Sequence, residues 1–284
     1  MPTLHDPVAF DLFGLSIRWY ALLILTGIIA AILLIQALAR RRGMDPEFIL
    51  DIAPLTVAVA IIGARVAFVA VSWDQFRDDP LDALNIREGG IAIHGAVLFG
   101  SLIVAWLCHR AHQRFLLWGD LILVGVALGQ AIGRWGNWAN QEAFGTPTDV
   151  PWAVTIDPAR RPAEYADQAT FHPTFLYESI ANLFNAVVLS ILILKMPGSR
   201  RLREGDAVWA YMILYGIERG LIESIRTDSV YVGPLPGPTW ASLALVAGGV
   251  AGAVLRRTIW PAPFIGSRRA PDDRSDGESA PLAV

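Results

Sequence analysis

The sequence predicts an all-α polytopic membrane protein with seven transmembrane helices. Of its 284 residues, 54% are hydrophobic and only 17% are charged, where a soluble domain carries about a quarter charged. The apolar residues fall in runs of about 20, enough to cross a hydrocarbon core of about 30 Å. Between the runs, basic loops alternate with acidic or mixed ones, which gives the spans a direction.

Length and periodicity place the spans at about 17–39, 48–72, 91–109, 115–136, 174–196, 207–225 and 238–256. The first carries Tyr20 early and stops at Arg40-Arg41-Arg42, which serves as a topology signal. The second contains Arg65 and leads into an acidic stretch with Asp74, Asp78, Asp79, Asp82 and Glu88. His94 opens the third, which ends near Arg110 and Arg114. The fourth begins near Asp120, a residue type that favours a helix N-terminus, and runs into Arg134, Asn137, Asn140 and Glu142. His172, Tyr177 and Glu178 open the fifth, with Asn182 and Asn185 one and two turns on and Lys195, Arg200, Arg201 and Arg203 after it. The sixth ends with Tyr215, Arg219, Glu223 and Arg226, and the seventh is followed by Arg256, Arg257, Arg268 and Arg269.

The positive-inside rule puts the basic loops in the cytoplasm, the N-terminus outside and the C-terminus inside. Tryptophans favour both membrane interfaces. Trp106, Trp118, Trp209 and Trp260 fall at the expected cytoplasmic ends, and Trp19, Trp73, Trp135, Trp138 and Trp240 at the outer ends. Asp6 and Asp11 precede the first span with no basic leader, so that span is expected to be retained rather than cleaved. Residues 1–260 then form one seven-helix transmembrane domain. Within it, 144–172 is an extracytoplasmic loop able to form a small cap, and 261–284 is a charged, disordered cytoplasmic tail. The lone Cys108 excludes an intrachain disulfide framework and a cysteine metal cluster.

The polar residues inside the spans concentrate towards the outer ends. Tyr215, Arg219, Glu223 and Arg226 recur at spacings of four, four and three, along one helix face; Glu178, Asn182 and Asn185 follow the same rule. Each charge costs roughly 2.5–3.5 kcal/mol at mid-helix, so Arg65, Arg134 and Arg219 need partners: Glu142, Glu178, Glu223 or a lipid phosphate. A guanidinium fork suits phosphate. A lipid-facing enzyme acting on an anionic headgroup and an anion-selective channel both account for buried arginines. The thinning of polar residues towards the cytoplasm, and the lack of an internal repeat, favour the enzyme. For Arg65, simple helix-holding is an even alternative. Asn182 and Asn185 read as interhelical glue.

One segment, Gly133-Arg134-Trp135-Gly136-Asn137-Trp138-Ala139-Asn140-Gln141-Glu142-Ala143-Phe144-Gly145, resembles the defining motif of bacterial prolipoprotein diacylglyceryl transferases. Arg18-Trp19-Tyr20, Gly63-Ala64-Arg65, Gly90-Ile91-Ala92-Ile93-His94-Gly95, His172 to Glu178, and Tyr215-Gly216-Ile217-Glu218-Arg219 through Glu223 and Arg226 match in the same order. The resemblance runs from about Leu12 to Leu255 and implies a reaction. The diacylglyceryl group of phosphatidylglycerol passes to the lipobox cysteine of a secreted prolipoprotein, a thioether forms, and glycerol phosphate leaves. It implies no metal or organic cofactor and no nucleic acid partner. It also places the enzyme in the bacterial cytoplasmic membrane with its site on the outer side. By resemblance Arg134 binds phosphatidylglycerol, Arg219 is the second essential arginine, and His94 is the histidine proposed as base, with bound water as the other candidate for the thiol proton. Tyr20, Asn137, Asn140, Glu142, Glu178, Tyr215 and Glu223 line the substrate cavity, with Glu142 and Glu223 orienting the two arginines. Ala96, Phe175 and the Gly233–Trp240 loop depart from the family pattern.

Overall fold

A computed structural model describes residues 1–4, 6–85, 89–199, 201–229 and 231–259. The expectations for Glu88, Arg200, Trp260, Arg268, Arg269 and the tail 261–284 lie outside these residues. Seven helices form: α1 (Trp19–Arg41), α2 (Phe48–Val71), α3 (Ile93–Arg110), α4 (Phe115–Asn140), α5 (Thr174–Lys195), α6 (Asp206–Glu223) and α7 (Gly237–Thr258). Short antiparallel hairpins join them: β1 (Val8–Leu12) with β2 (Leu15–Arg18), β3 (Val154–Thr155) with β4 (Thr170–Phe171), and β5 (Tyr231–Val232) with β6 (Leu235–Pro236).

Six helices are long and apolar enough to cross a bilayer, so this is a helical polytopic membrane protein. The exception is α6, whose 18 residues include Asp206, Glu218, Arg219 and Glu223. The fourth expected span was too short. The helix continues to Asn140 and stops only where Gln141 turns left-handed, at φ 53°. Its last polar turns stay helical because their side chains find partners, described below, so the fall in hydropathy after Ile132 does not mark the helix end.

The helices run between two polar ends. At the basic end, Arg42 after α1 reaches the Ile193 carbonyl of α5 at 3.5 Å, and Arg114 before α4 pairs with Glu204 before α6. There Asp120 accepts the backbone N–H groups of Gly205 (2.8 Å) and Val208 (2.9 Å). A carboxylate does cap a helix N-terminus here, but it is that of α6 rather than its own. At the other end, the loop after α4 lies between the N-terminal residues and the segment after α6. Thr155 donates to the Met1 carbonyl at 3.0 Å, and Thr146 donates to that of Ile225 at 2.7 Å. The end of α4, the start of α5 and the end of α6 therefore share one end, so α5 and α6 both traverse the bundle.

A buried cluster, with Ile35, Ile52, Trp118, Leu121, Val124, Leu189 and Ile193 among its members, fills the interior. Trp118 is fully buried there, 4.8 Å from the Phe48 ring, so it packs the core instead of marking an interface. Cys108 is buried in the same cluster. A second cluster, Phe144, Val154, Ile156, Phe171 and Phe175, gives residues 144–172 a core of their own. Phe175, one of the departures from the family pattern, stands 5.4 Å from the Trp135 ring and ties this loop to α4. The pair α2–α3 closes through glycine. A Cβ on Gly95 would lie 2.2 Å from the Gly63 carbonyl oxygen, so no larger residue fits without parting the helices.

Arg65 sits at this pair. Its guanidinium donates to the carbonyls of Ala83, Gly89, Gly90, Asp82 and Asn85 at 2.8–3.0 Å and lies over the Phe76 ring at 5.1 Å. It holds the ends of the loop between α2 and α3, and among the described residues no carboxylate pairs with it.

Candidate active site

Three arginines from different places meet one carboxylate. Glu178, in the second turn of α5, has a side chain only 1% exposed. Arg134 Nε, from the last turns of α4, lies 3.0 Å from Glu178 Oε2. Arg219 Nη1, from α6, lies 3.7 Å from Oε1, and Arg226 Nη1 lies 3.9 Å from the same oxygen. Arg219 Nη2 also stands 2.7 Å from Glu223 Oε2, one turn on. The helical spacing read from the sequence holds through Glu223, where α6 ends. Arg226 reaches the cluster from the turn beyond.

These contacts are close but poorly aligned. Both oxygens of Glu178, Glu223 Oε2 and Arg219 Nη1 are buried without an aligned hydrogen bond. The Coulomb attraction is present and the directional bonding is largely unspent. A buried polar atom in that state costs about 1–3 kcal/mol. Of the four, Arg219 Nη1 is the donor that an acceptor oxygen of a ligand would satisfy, whereas the three carboxylate oxygens call for realigned donors. Arg226 differs, because Asp228 takes its Nε and Nη2 at 2.8 and 2.6 Å.

Glu142 does not orient Arg134. It accepts from Asn137 (3.0 Å) and Asn140 (3.3 Å), and Glu178 takes the arginine instead. The left-handed turns at Gln141 and Ala143 fold the chain back, so that Glu142 faces the helix it has just left. Tyr20, at the start of α1, packs on Gly136 of α4 and remains 38% exposed. Tyr215 stacks on Tyr211 with centroids 5.5 Å apart. His172 and Tyr177 contact each other at 3.1 Å, with Trp152 donating to the tyrosine. His94 is exposed at the start of α3, and no hydrogen bond or ion pair among the described residues joins it to the arginines.

Three contributors were missed by the sequence reading. Glu218 accepts from Asn182 on one oxygen and from Asn185 on the other, which locks α5 to α6 one turn from Glu178. The two asparagines are glue as expected; their acidic partner had a usable signal, since it lies three residues after Tyr215. Gln141 donates to the Leu4 carbonyl (3.0 Å) and to Asp157 (2.7 Å), fastening the N-terminal residues and the 144–172 loop to the end of α4. Asp228 lies just outside the matching motif. Gly145 lets the strands converge on the cluster: a Cβ there would lie 2.8 Å from His172 Cβ and 2.9 Å from the Ile225 carbonyl oxygen.

Residues 7–255 match a family profile described as prolipoprotein diacylglyceryl transferase. The chain belongs to that family. It is 45% identical to the phosphatidylglycerol–prolipoprotein diacylglyceryl transferase of Parasynechococcus marenigrum (strain WH8102), over 83% of this chain and 85% of that one. The enzyme of the same name from Gloeobacter violaceus is also 45% identical, over 89% and 92% of the two chains. The one from Finegoldia magna is 39% identical, over 86% and 93%. The family profile covers every residue of the arginine cluster.

Proposed function

We propose that this protein transfers the diacylglyceryl group of phosphatidylglycerol to the lipobox cysteine thiol of prolipoproteins. The new thioether forms as the glycerol carbon–oxygen bond breaks, and glycerol phosphate departs with the bonding electrons. The observation that carries the reading is the set of Arg134, Arg219 and Arg226 around Glu178, with hydrogen-bonding capacity left over.

In this reading Arg134 and Arg219 take the phosphate, each trading an unaligned carboxylate contact for charge-assisted, two-pronged bonds. Glu178 and Glu223 keep the two forks in place before lipid arrives. The leaving phosphate gains charge where water is scarce, and one preorganised donor there contributes about 3–4 kcal/mol. Thiol ionisation demands less, about 2 kcal/mol at pH 7 for a thiol of pKa near 8.5. His94 accepts that proton. Tyr20, Asn137, Asn140, Glu142 and Tyr215 line the approach.

Seven spans, with the N-terminus outside and the C-terminus in the cytoplasm, fit both the charge pattern and the shared end of α4, α5 and α6. The protein is then a multi-pass protein of the bacterial cytoplasmic membrane with its site on the outer side. Residues 1–260 form the catalytic domain, 144–172 its extracytoplasmic cap and 261–284 a cytoplasmic tail. Purified protein, labelled phosphatidylglycerol and a lipobox peptide test the activity. Label should reach the peptide only when its cysteine is present, and transfer to a cysteine-free peptide would refute the reading.

A further inference from the structure

At the end of the bundle opposite Arg134, a cavity of about 450 Å³ is lined by Arg42, Arg114, Arg203, Glu204, Arg256, Met196 and Leu202. We infer that it binds a phosphate-bearing anion. Four arginines and one glutamate line it; Glu204 is already paired with Arg114, while Arg203 donates to the Arg256 carbonyl and Arg256 to that of Glu204. The neighbouring acids are also committed: Asp120 to the first turn of α6, Asp206 to Arg257 and to the Arg203 N–H. Arg42 makes only a 3.5 Å contact with the Ile193 carbonyl, and its buried Nε has no hydrogen-bond partner.

A topology signal needs positive charge in the loops but no common focus. These arginines come from four separate segments: the end of α1, the approaches to α4 and α6, and the last turn of α7. Arg256 is only 7% exposed, which a loop signal does not require. Basic pockets between membrane helices on this kind of face suit anionic lipid headgroups. The volume is that of a small-ligand site, and Met196 and Leu202 offer an apolar wall to glycerol or to the first methylenes of a lipid. The shared chemistry is a phosphate group, supplied by a headgroup of the adjacent leaflet or by a soluble phosphate.

The inference is independent of the transfer reaction, and its test reads stability rather than turnover. Full-length protein in neutral detergent is titrated with inorganic phosphate against chloride at constant ionic strength. In parallel, nanodiscs of phosphatidylglycerol are compared with phosphatidylcholine, and Tm is followed throughout. Wild type and Arg134→Gln should both be stabilised, while Arg42→Gln made in the Arg134→Gln protein should need about tenfold more ligand than Arg134→Gln itself, as expected for one lost charge-assisted bond. Stabilisation by phosphate alone would identify a soluble ligand; stabilisation only by phosphatidylglycerol would identify a headgroup. Leu202→Trp made in the Arg134→Gln protein, which fills the cavity and keeps the four arginines that line it, should abolish the remaining effect, and it decides the matter if the Arg42→Gln protein fails to fold. The inference is overturned if neither anion stabilises the protein. It is also overturned if the effect is lost in Arg134→Gln alone, or if it survives in Leu202→Trp made in the Arg134→Gln protein.

Discussion

Two buried arginine sites lie at loop-bearing ends of this bundle and are built in opposite ways. Arg65 spends its guanidinium on five backbone carbonyls of the loop it holds. Arg134 and Arg219 face carboxylates at short range with poor alignment, and donor and acceptor atoms are left over. A saturated guanidinium is a brace. An unsaturated pair beside a shared carboxylate suits the receptor we propose, one held ready at some expense of stability. The residue type is the same at the two sites, and the partners tell them apart.

The contrast is tested most severely by Arg134→Lys. It retains the charge beside Glu178 but loses the fork, and turnover should fall by about 10²–10³ with Tm close to wild type. Near-normal transfer in the labelled-lipid assay would remove the fork from the mechanism. His94→Asn should lower turnover by about 10², the lower end for a general base; full activity would pass the proton to another acceptor. Arg65→Met should invert the pattern, costing about 2–4 kcal/mol of stability through orphaned carbonyls. The protein that remains folded should turn over within about twofold of wild type, because a brace does not touch the ligand. Equal losses of stability and of activity per folded molecule would erase the distinction.

The smallest effect is expected at Asp228. Burial alone would raise its carboxyl, but two bonds from Arg226 outweigh this and hold it below the usual carboxylate range. A depressed folded value means the stabilisation is present above the unfolded pKa near 3.9 and is lost as pH falls through the folded one. The Tm advantage of wild type over Asp228→Asn should therefore be modest at pH 7 and shrink below about pH 4. A gap that is constant with pH would exclude this ion pair as its source.

The helices were legible because runs of apolar residues and their period survive without tertiary information. The arginine-bearing face of α6 was legible for the same reason. Partnering was harder. Arg65 bonds to carbonyls, which every residue carries, so no side-chain pattern points to them. Glu142 is two residues from Asn140 in the motif's reach yet is turned away from Arg134 by two left-handed residues, Gln141 and Ala143, neither of which is glycine. Trp118 shows the same limit: an aromatic near a helix end reads as interfacial until Phe48 is seen packed against it.

On the seven-span reading, α6 is poorly suited to leave the translocon unaided. Four ionisable residues among eighteen make it a reluctant insert. Glu218 becomes tolerable in lipid only beside Asn182 and Asn185, and Arg219 only beside Glu178 and Glu223. On that reading α5 is expected to stay at the lateral exit until its successor arrives, so that the two enter the membrane as a hairpin. The residues that equip the enzyme for a charged lipid thus also dictate the order of its assembly.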